Sequence, residues 1–465
     1  MLLYNITDHL KNTNTYTELR LTQNSDVRVV LLNGVDTANA RSQSAGVLAR
    51  SVKNGRYGVA SSSVITKDSI ADAIKNANHN ACFLAQKGNA ERGNQSGFEM
   101  PKTDPYTHGS FTPPPQQAEQ KRILEFVRQI DSYIEKSCPD LASRYVAFSH
   151  LTMERVFSNT FGVNFSHYNP RSIIIISLTT MDKQGMPVDL YEPIGGPGMF
   201  DQVFQDPKTL CPAIDRIYNN LMLKKEGVFA AAGLKTCVFD ADLAGILAHE
   251  AIGHTTEADL VLGGSVASFN LNKQVASPLI SLTDFAHTAL GATCPVPVYV
   301  DDEGTVATDA QIIKDGILTS YMHNKESAIH FGAAPTGNAR AFSFADEPLI
   351  RMRNTAILPG KDKLEDMLAS IDDGYYFTKT GNGQADSTGE FMFAISMGFE
   401  VKGGKLGRAI KDTTISGMAF DVLSSVDAVS DQMSWNCSGM CGKKQHMMVG
   451  MGGPAIKCKV NVGGR

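Results

Sequence analysis

The first part of the chain alternates between hydrophobic and polar residues over short runs, a pattern that predicts β-strands. The predicted strands cover residues 17–21, 27–32, 47–52 and 57–60. Asn33-Gly34 and Asn54-Gly55 separate these runs, and Asn-Gly is favoured in tight β-hairpin turns. Residues 68–81 follow with hydrophobic side chains at helical spacing, so an amphipathic helix is expected there.

A stretch rich in proline separates this region from a second group of elements. Residues 101–117 contain Pro101, Pro105 and the run Pro113-Pro114-Pro115, a composition typical of a linker. The pattern then predicts an amphipathic helix over 123–134 and strands over 145–151, 160–166 and 173–178. We therefore expect an N-terminal α/β domain over 1–100, a linker over 101–117 and a middle α+β domain over 118–226.

Glycine-rich turns and strand-like runs dominate from residue 227 onward, around one apolar segment at 243–262. A glycine-rich stretch just upstream, at 194–198, lacks the spacing of a phosphate-binding loop and is expected to be a tight turn. The remaining chain, 227–465, is predicted to be a third domain, mainly antiparallel β. The expected fold class is α+β, with strand-rich α/β domains followed by this β-rich domain.

The apolar segment carries His249-Glu250-Ala251-Ile252-Gly253-His254. In the familiar zinc helix the two histidines are four residues apart and share one face, but here they are five apart, about 140° around a regular helix. A π-bulge would bring His254 back beside His249, and we expect the conformational freedom of Gly253 to permit it. The segment is thus predicted to be a metal-binding helix; the alternative is two hydrogen-bonded core histidines.

Two histidines leave a zinc ion in need of a third protein ligand. The candidates are Glu257, Asp259, Cys437, Cys441, His446 and Cys458. Two features favour Cys441 as a ligand: it precedes a glycine in a loop, and Lys443 would favour its thiolate. The pattern does not choose among them, and Cys437, Cys441 and His446 could instead form a separate structural site.

Composition narrows the function classes. The formal net charge is −5, with lysine and arginine scattered along the chain, so we expect no direct nucleic-acid contact. No apolar run approaches the length of a membrane span. The first residues have neither a basic region nor an apolar core of a signal peptide, and the 8 cysteines are dispersed. These features predict a cytoplasmic protein with reduced thiols.

Several segments, in chain order, resemble the TldD/PmbA family, and specifically its TldD branch. The matching segments are 46–50, 55–60, 248–254, 301–305, 335–340, 354–355, 358–360, 439–443 and 462–464. The resemblance implies a metallopeptidase with zinc bound by His249, His254 and Cys441 and with Glu250 as general base. It also implies a dimer, either of identical chains or with a PmbA-like paralogue.

The strand-rich composition suggests that an unfolded peptide substrate would bind as an added strand, with few side chains recognised. The sequence identifies neither the substrate-binding residues nor the group that stabilises the oxyanion. Four polar residues are candidates for stabilising the oxyanion, although a structural role is the stronger interpretation of each: Tyr321, His323, His330 and Arg340. The competing functions are a non-catalytic metal-containing assembly subunit and a regulator that acts by protein contact.

Overall fold

The structure is a computed structural model that describes residues 6–11, 13–91, 99–109 and 118–464. Its first half contains β1 Tyr16–Leu32, β2 Val35–Lys53, β3 Arg56–Ser62, α1 Lys67–Glu91, β4 Thr107–His108, α2 Gln120–Ser137, β5 Ser143–Asn159, β6 Asn164–Met181, β7 Pro187–Pro197, α3 Phe200–Val203 and α4 Cys211–Lys225. The predicted linker therefore lies partly outside the described residues, and its described part includes β4.

The strands of the first half form one seven-stranded sheet in the order β3-β2-β1-β5-β6, with β4 and β7 also paired to β6. All neighbours are antiparallel except β4 and β6. Both predicted Asn-Gly turns are confirmed, since Asn33, Gly34, Asn54 and Gly55 all have positive φ and join paired strands, as hairpin turns of this kind require.

The pairing of β1 with β5 runs from Glu18 to Leu32. Strands before and after the predicted linker thus belong to the same sheet. Helix α1 packs on this sheet through Ile70, Ile74 and Ala77, whereas α2 and α4 pack on it within a separate hydrophobic cluster. The division of residues 1–226 into two domains stays a prediction.

Three local predictions in this half were wrong. The region predicted as two strands over 160–166 and 173–178 is the single strand β6, which begins at Asn164 after a turn. The region predicted as two strands, 17–21 and 27–32, is the single strand β1, because the polar residues between them pair across the sheet and Asn24 donates to the backbone carbonyl of Phe342. The stretch predicted as a tight turn, 194–198, is mostly strand, because residues up to Pro197 pair with β6.

The second half contains more and shorter elements. Its strands are β8 Gly233–Phe239, β9 Leu282–Phe285, β10 Thr288–Ala289, β11 Ala292–Thr293, β12 Ala310–Lys314, β13 Ile317–Leu318, β14 Ala339–Arg340, β15 Leu349–Ile350, β16 Asn354–Ile357, β17 Asp373–Ala385, β18 Glu390–Lys402, β19 Lys405–Ile410, β20 Thr413–Met418, β21 Ala428–Asn436, β22 Met440–Lys443, β23 Gln445–Met448 and β24 Gly450–Val462. Its α-helices are α5 Ala241–Leu247, α6 Ala258–Leu262, α7 Lys325–Phe331, α8 Leu364–Ala369 and α9 Ala419–Ser424.

The main sheet of this half has eleven strands, and part of it closes on itself. The order β24-β20-β18-β17-β8 returns to β24 because β8 also pairs with β24. Helix α5 packs against β24 and β17, and the core around it includes Leu243, Leu247 and Ile252, all fully buried. Most residues of α5 are apolar, as expected of a helix in such a position. The predicted α+β class, with a β-rich C-terminal region around a helix, is confirmed.

No helix among the described residues has both the length and the apolar character needed to cross a membrane.

Candidate metal centre

The segment with the two histidines changes helix type at the motif. Helix α5 begins at the N-cap Asp240, whose carboxylate accepts from the backbone N–H of Ala241. It continues into a π-helical turn, Ala248–Gly253, in which the N–H of His254 donates to the carbonyl of His249. A 3-10 turn, His254–Thr256, follows and leads to α6. The predicted π-bulge is therefore confirmed, and it places both imidazoles on one side.

The predicted reason for Gly253 was wrong. Its φ is −56°, which is ordinary right-handed helical backbone, so no special conformational freedom is used. A Cβ at this position would instead lie 1.9 Å from Sδ of Met352. A side chain here would displace Met352, which is fully buried and packs directly against the π turn.

Three potential ligand atoms meet at this turn. The donor atoms of His249, His254 and Cys441 all lie within 4.8 Å of one another, and Cys441 Sγ is 3.2 Å from His254 Nε2. His249 is 1% exposed, and neither of its ring nitrogens has a hydrogen-bond partner in the described part of the chain. Buried polar atoms are normally paired, so the unpaired imidazole fits a metal ion, and a donor set of two nitrogens and one sulfur suits zinc.

Cys441 reaches the π turn on a two-stranded hairpin of β22 and β23. Arg351, which is fully buried, holds this hairpin through its guanidinium: Nη2 donates to the carbonyl of Cys441 at 2.9 Å, and Nη1 to that of Gln445 at 2.7 Å. Arg351 was not predicted as a site residue, because a single arginine in a strand-like run carries no local signal.

Glu257, predicted as a candidate ligand, supports one of the histidines instead. Its Oε2 lies 2.9 Å from His254 Nδ1 and 3.2 Å from Nζ of Lys443. Lys443 also pairs with Asp259, the other nearby candidate, at 2.7 Å. Burial alone would lower the pKa of His254, but its hydrogen bonds to Cys441 and Glu257 outweigh burial and raise the pKa to about 10. Glu257 thereby turns Nε2 toward Cys441, as outer partners of ligating histidines do.

Glu250 lies on the same turn but is more open, with its side chain 26% exposed and Oε2 3.7 Å from His254 Nε2. Burial raises its pKa above the ordinary carboxylate value, the positive charge of His254 opposes this rise, and the charge of Glu257 adds to it. A carboxylate with a raised pKa, beside three potential metal ligands and within reach of solvent, is suited to general-base catalysis.

The remaining candidate ligands lie elsewhere. Cys458 faces Cys237 across the β24–β8 pairing, Cys437 is half-buried near Arg171, and His446 is exposed opposite Gly442. The one group of three potential ligands found among the described residues is His249, His254 and Cys441. A separate site of Cys437, Cys441 and His446 does not form there.

Three of the four candidates for oxyanion stabilisation form hydrogen bonds within the fold. The hydroxyl of Tyr321 donates to the carbonyl of Ala267 at 2.8 Å, and His323 Nδ1 lies 3.1 Å from the hydroxyl of Ser327. His330 is exposed. The guanidinium of Arg340 donates to the carbonyl of Met352 at 2.6 Å, beside the π turn.

Sequence comparisons identify the family to which this fold belongs. Residues 233–464 match the PmbA/TldA metallopeptidase C-terminal domain, and residues 17–81 match PmbA/TldA metallopeptidase domain 1. The chain is 31% identical over 342 residues to a metalloprotease of Methanocaldococcus jannaschii, covering 73% of this chain and 72% of that one. It is 35% identical over 269 residues to a zinc metalloprotease TldD homolog of Saccharolobus solfataricus, covering 57% of this chain and 59% of the relative. The chain belongs to the PmbA/TldD metallopeptidase family.

A solved structure shows the same fold. TldE from Thermococcus kodakarensis superimposes with a TM-score of 0.73 at 16% sequence identity, covering 98% of both chains. At this level of identity the likeness extends to the architecture alone.

Proposed function

We propose that this chain is a zinc-dependent peptidase that hydrolyses peptide bonds in unfolded or extended peptides. In this proposal His249, His254 and Cys441 hold the metal and Glu250 is the general base. The main observation in its support is that three potential metal-binding atoms lie close together at the π turn. Both ring nitrogens of the buried His249 are also unpaired among the described residues. Membership of a metallopeptidase family supports the same conclusion.

Zinc, when bound, supplies a Lewis acid that activates water near neutral pH and polarises a carbonyl group. Glu250 accepts the proton of the attacking water and passes it to the leaving amine. Its raised pKa makes it a stronger base than an ordinary carboxylate. Glu257 accepts a hydrogen bond from His254 Nδ1 and so holds the ring in one orientation.

The preference for extended substrates follows from limited access to the site. His249 is 1% exposed and Cys441 is 2% exposed, and Glu250 is the more open of the site residues. A peptide bond on a rigid folded surface cannot come close to these atoms, whereas an extended segment can. Equal cleavage rates for a folded protein and for its unfolded form would contradict this preference.

The assembly proposed is a dimer, of two copies of this chain or of one copy with a PmbA-like paralogue. The fold shared with TldE supports the second arrangement, since two chains of one fold can form a pseudo-symmetric pair. Light scattering of the purified chain, alone and mixed with a paralogue, distinguishes these two assemblies.

The cytoplasmic location stays a prediction.

The peptidase is tested by incubating the zinc-loaded chain with a mixed pool of unstructured peptides. Glu250→Gln is purified alongside, and its zinc content is confirmed to be equal. Glu365→Gln, an exposed change on α8, is the matched control. We expect cleavage by the parent and the control, and none by Glu250→Gln. Cleavage by Glu250→Gln at the parental rate would contradict the role of Glu250.

A further inference from the structure

A cavity of about 330 Å³ lies between the N-terminal sheet and the C-terminal half of the chain. This volume is within the range of small-ligand sites. Most of its wall is apolar, with contributions from Met153, Pro170, Pro295, Val296, Val298 and Met448. An apolar wall lowers the local dielectric constant and so strengthens electrostatic interactions made against it.

Three arginines line this cavity together with Asp301 and Asp302, and two of the arginines have partners. Arg155 donates to the carbonyls of Ala341 and Phe342, each at 2.9 Å, and lies 3.4 Å from the carboxylate of Asp302. Arg340 donates to the carbonyl of Met352.

Arg171, the third arginine, is different. It is 6% exposed, and its Nε and Nη2 atoms are buried with no hydrogen-bond partner in the part of the chain that the structure describes. Burial lowers the pKa of Arg171 to about 10, which leaves the guanidinium charged at neutral pH. Its titratable neighbour Cys437 supplies no counter-charge, because burial raises the pKa of that thiol. A buried charge without a partner is costly, so an anion is needed to complete this site.

The hairpin that carries Cys441 also contributes to the wall of this cavity. Met447, which faces Cys441 across the hairpin, and Met448, which faces Met440, both line the cavity. A second cavity, of about 600 Å³, is lined by Arg171, Met440 and Met448. Arg171 therefore lies where two cavities meet beside the strand that presents the proposed thiolate ligand.

We propose that Arg171 binds a carboxylate group of the peptide substrate in the cavity that the Cys441 hairpin lines. The planar fork of a guanidinium matches the two oxygens of a carboxylate, and the apolar wall accommodates the adjoining side chains. This inference rests on the proposed peptidase function, because it takes the ligand to be a peptide. The carboxylate is either the C-terminal one or that of an acidic side chain.

Binding is measured by calorimetry with the zinc-loaded Glu250→Gln chain, which avoids cleavage. Three versions of one unstructured peptide are compared: a C-terminal acid and a C-terminal amide, both without Asp or Glu, and the amide with one Asp introduced. We expect the acid, or the Asp-containing amide, to bind about 10-fold to 100-fold more tightly than the neutral amide, the range of a charge-assisted hydrogen bond. Which of the two gains affinity identifies the source of the carboxylate. Equal affinity for all three would overturn the proposal.

Arg171→Gln, added to Glu250→Gln, is expected to remove this preference while leaving the affinity for the neutral amide unchanged. Arg122→Gln, an exposed change on α2, is the control and should keep the preference. If Arg171→Gln does not fold, Arg171→Lys replaces it, and we then expect a reduced preference because the charge stays but the fork is lost. A preference of unchanged size in the Arg171 variant would overturn the proposal.

Cleavage assays with the unaltered chain separate this inference from the proposed function. Peptide cleavage without a carboxylate preference would refute the role of Arg171 and leave the peptidase standing. A carboxylate preference without cleavage would support the Arg171 site and refute the peptidase.

Discussion

Gly253 and Met352 are in such close contact that a single methyl group on the glycine would overlap the sulfur of the methionine, at 1.9 Å. The contact fixes the π turn against the strand region that also carries Arg351. It makes the geometry of the two histidines depend on a residue about one hundred positions further along the chain.

Replacing Gly253 by alanine should therefore destabilise the protein. We expect a loss of about 1–3 kcal/mol, the usual cost of overpacking a core, measured by urea unfolding of the metal-free chain. Met352→Ala alone should cost about 2–5 kcal/mol by leaving a cavity. The double variant should be less destabilised than the sum of the two, because the clash is relieved. Gly196→Ala, where a Cβ meets open space, is the control; additive effects at 253 and 352 would argue against the contact.

Glu257 provides a second prediction. Glu257→Gln keeps the size of the side chain but removes the charge that faces His254 and Lys443. We expect zinc affinity to fall about 10-fold to 100-fold, as for other partners of ligating histidines, measured by competition with a chromogenic chelator. Asp259→Asn removes another partner of Lys443 but leaves the hydrogen bond between Glu257 and His254 in place, so it should change the affinity much less. An equal loss in the two variants would mean that Glu257 acts only through Lys443.

The pKa of His254 predicts how zinc binding depends on pH. In the metal-free chain its pKa is about 10, so the imidazole is protonated at neutral pH and must lose that proton when Nε2 binds a cation. Zinc binding should therefore release protons at pH 7.5, and the proton of His254 alone should raise the apparent affinity by up to about tenfold per pH unit from pH 7 until the pH approaches its pKa. Calorimetry in buffers of different ionisation enthalpy counts the protons. Uptake of protons, or an affinity that falls as the pH rises, would contradict this assignment.

The sequence predicts local structure well where the determining residues are close together in the chain. The Asn-Gly turns follow from the backbone preference of two adjacent residues, and the π turn follows from the five-residue spacing of His249 and His254 in an apolar segment. The continuous strand β1 could not be predicted from hydropathy, because Asn24 is a buried polar residue with a partner in the second half of the chain.

The contacts around the metal centre depend on long-range packing in the same way. Met352 packs against Gly253, and Arg351 holds the hairpin that carries Cys441. Arg171 lies beside that hairpin. All three belong to stretches of sequence without a distinctive pattern. Glu257 is close to His254 in sequence, but only the fold shows that it faces Nδ1 of the ring and Lys443. The sequence alone therefore left its role as ligand or support open.

The most direct test of the account is zinc K-edge X-ray absorption of the zinc-loaded chain, with Cys441→Ser as the comparison. We predict one sulfur neighbour at about 2.3 Å and two imidazoles at about 2.0–2.1 Å, with the remaining position taken by a light atom from water. The sulfur contribution should disappear in Cys441→Ser. A parent spectrum without sulfur, or a sulfur contribution that survives in Cys441→Ser, would contradict the assignment of His249, His254 and Cys441 as the metal ligands.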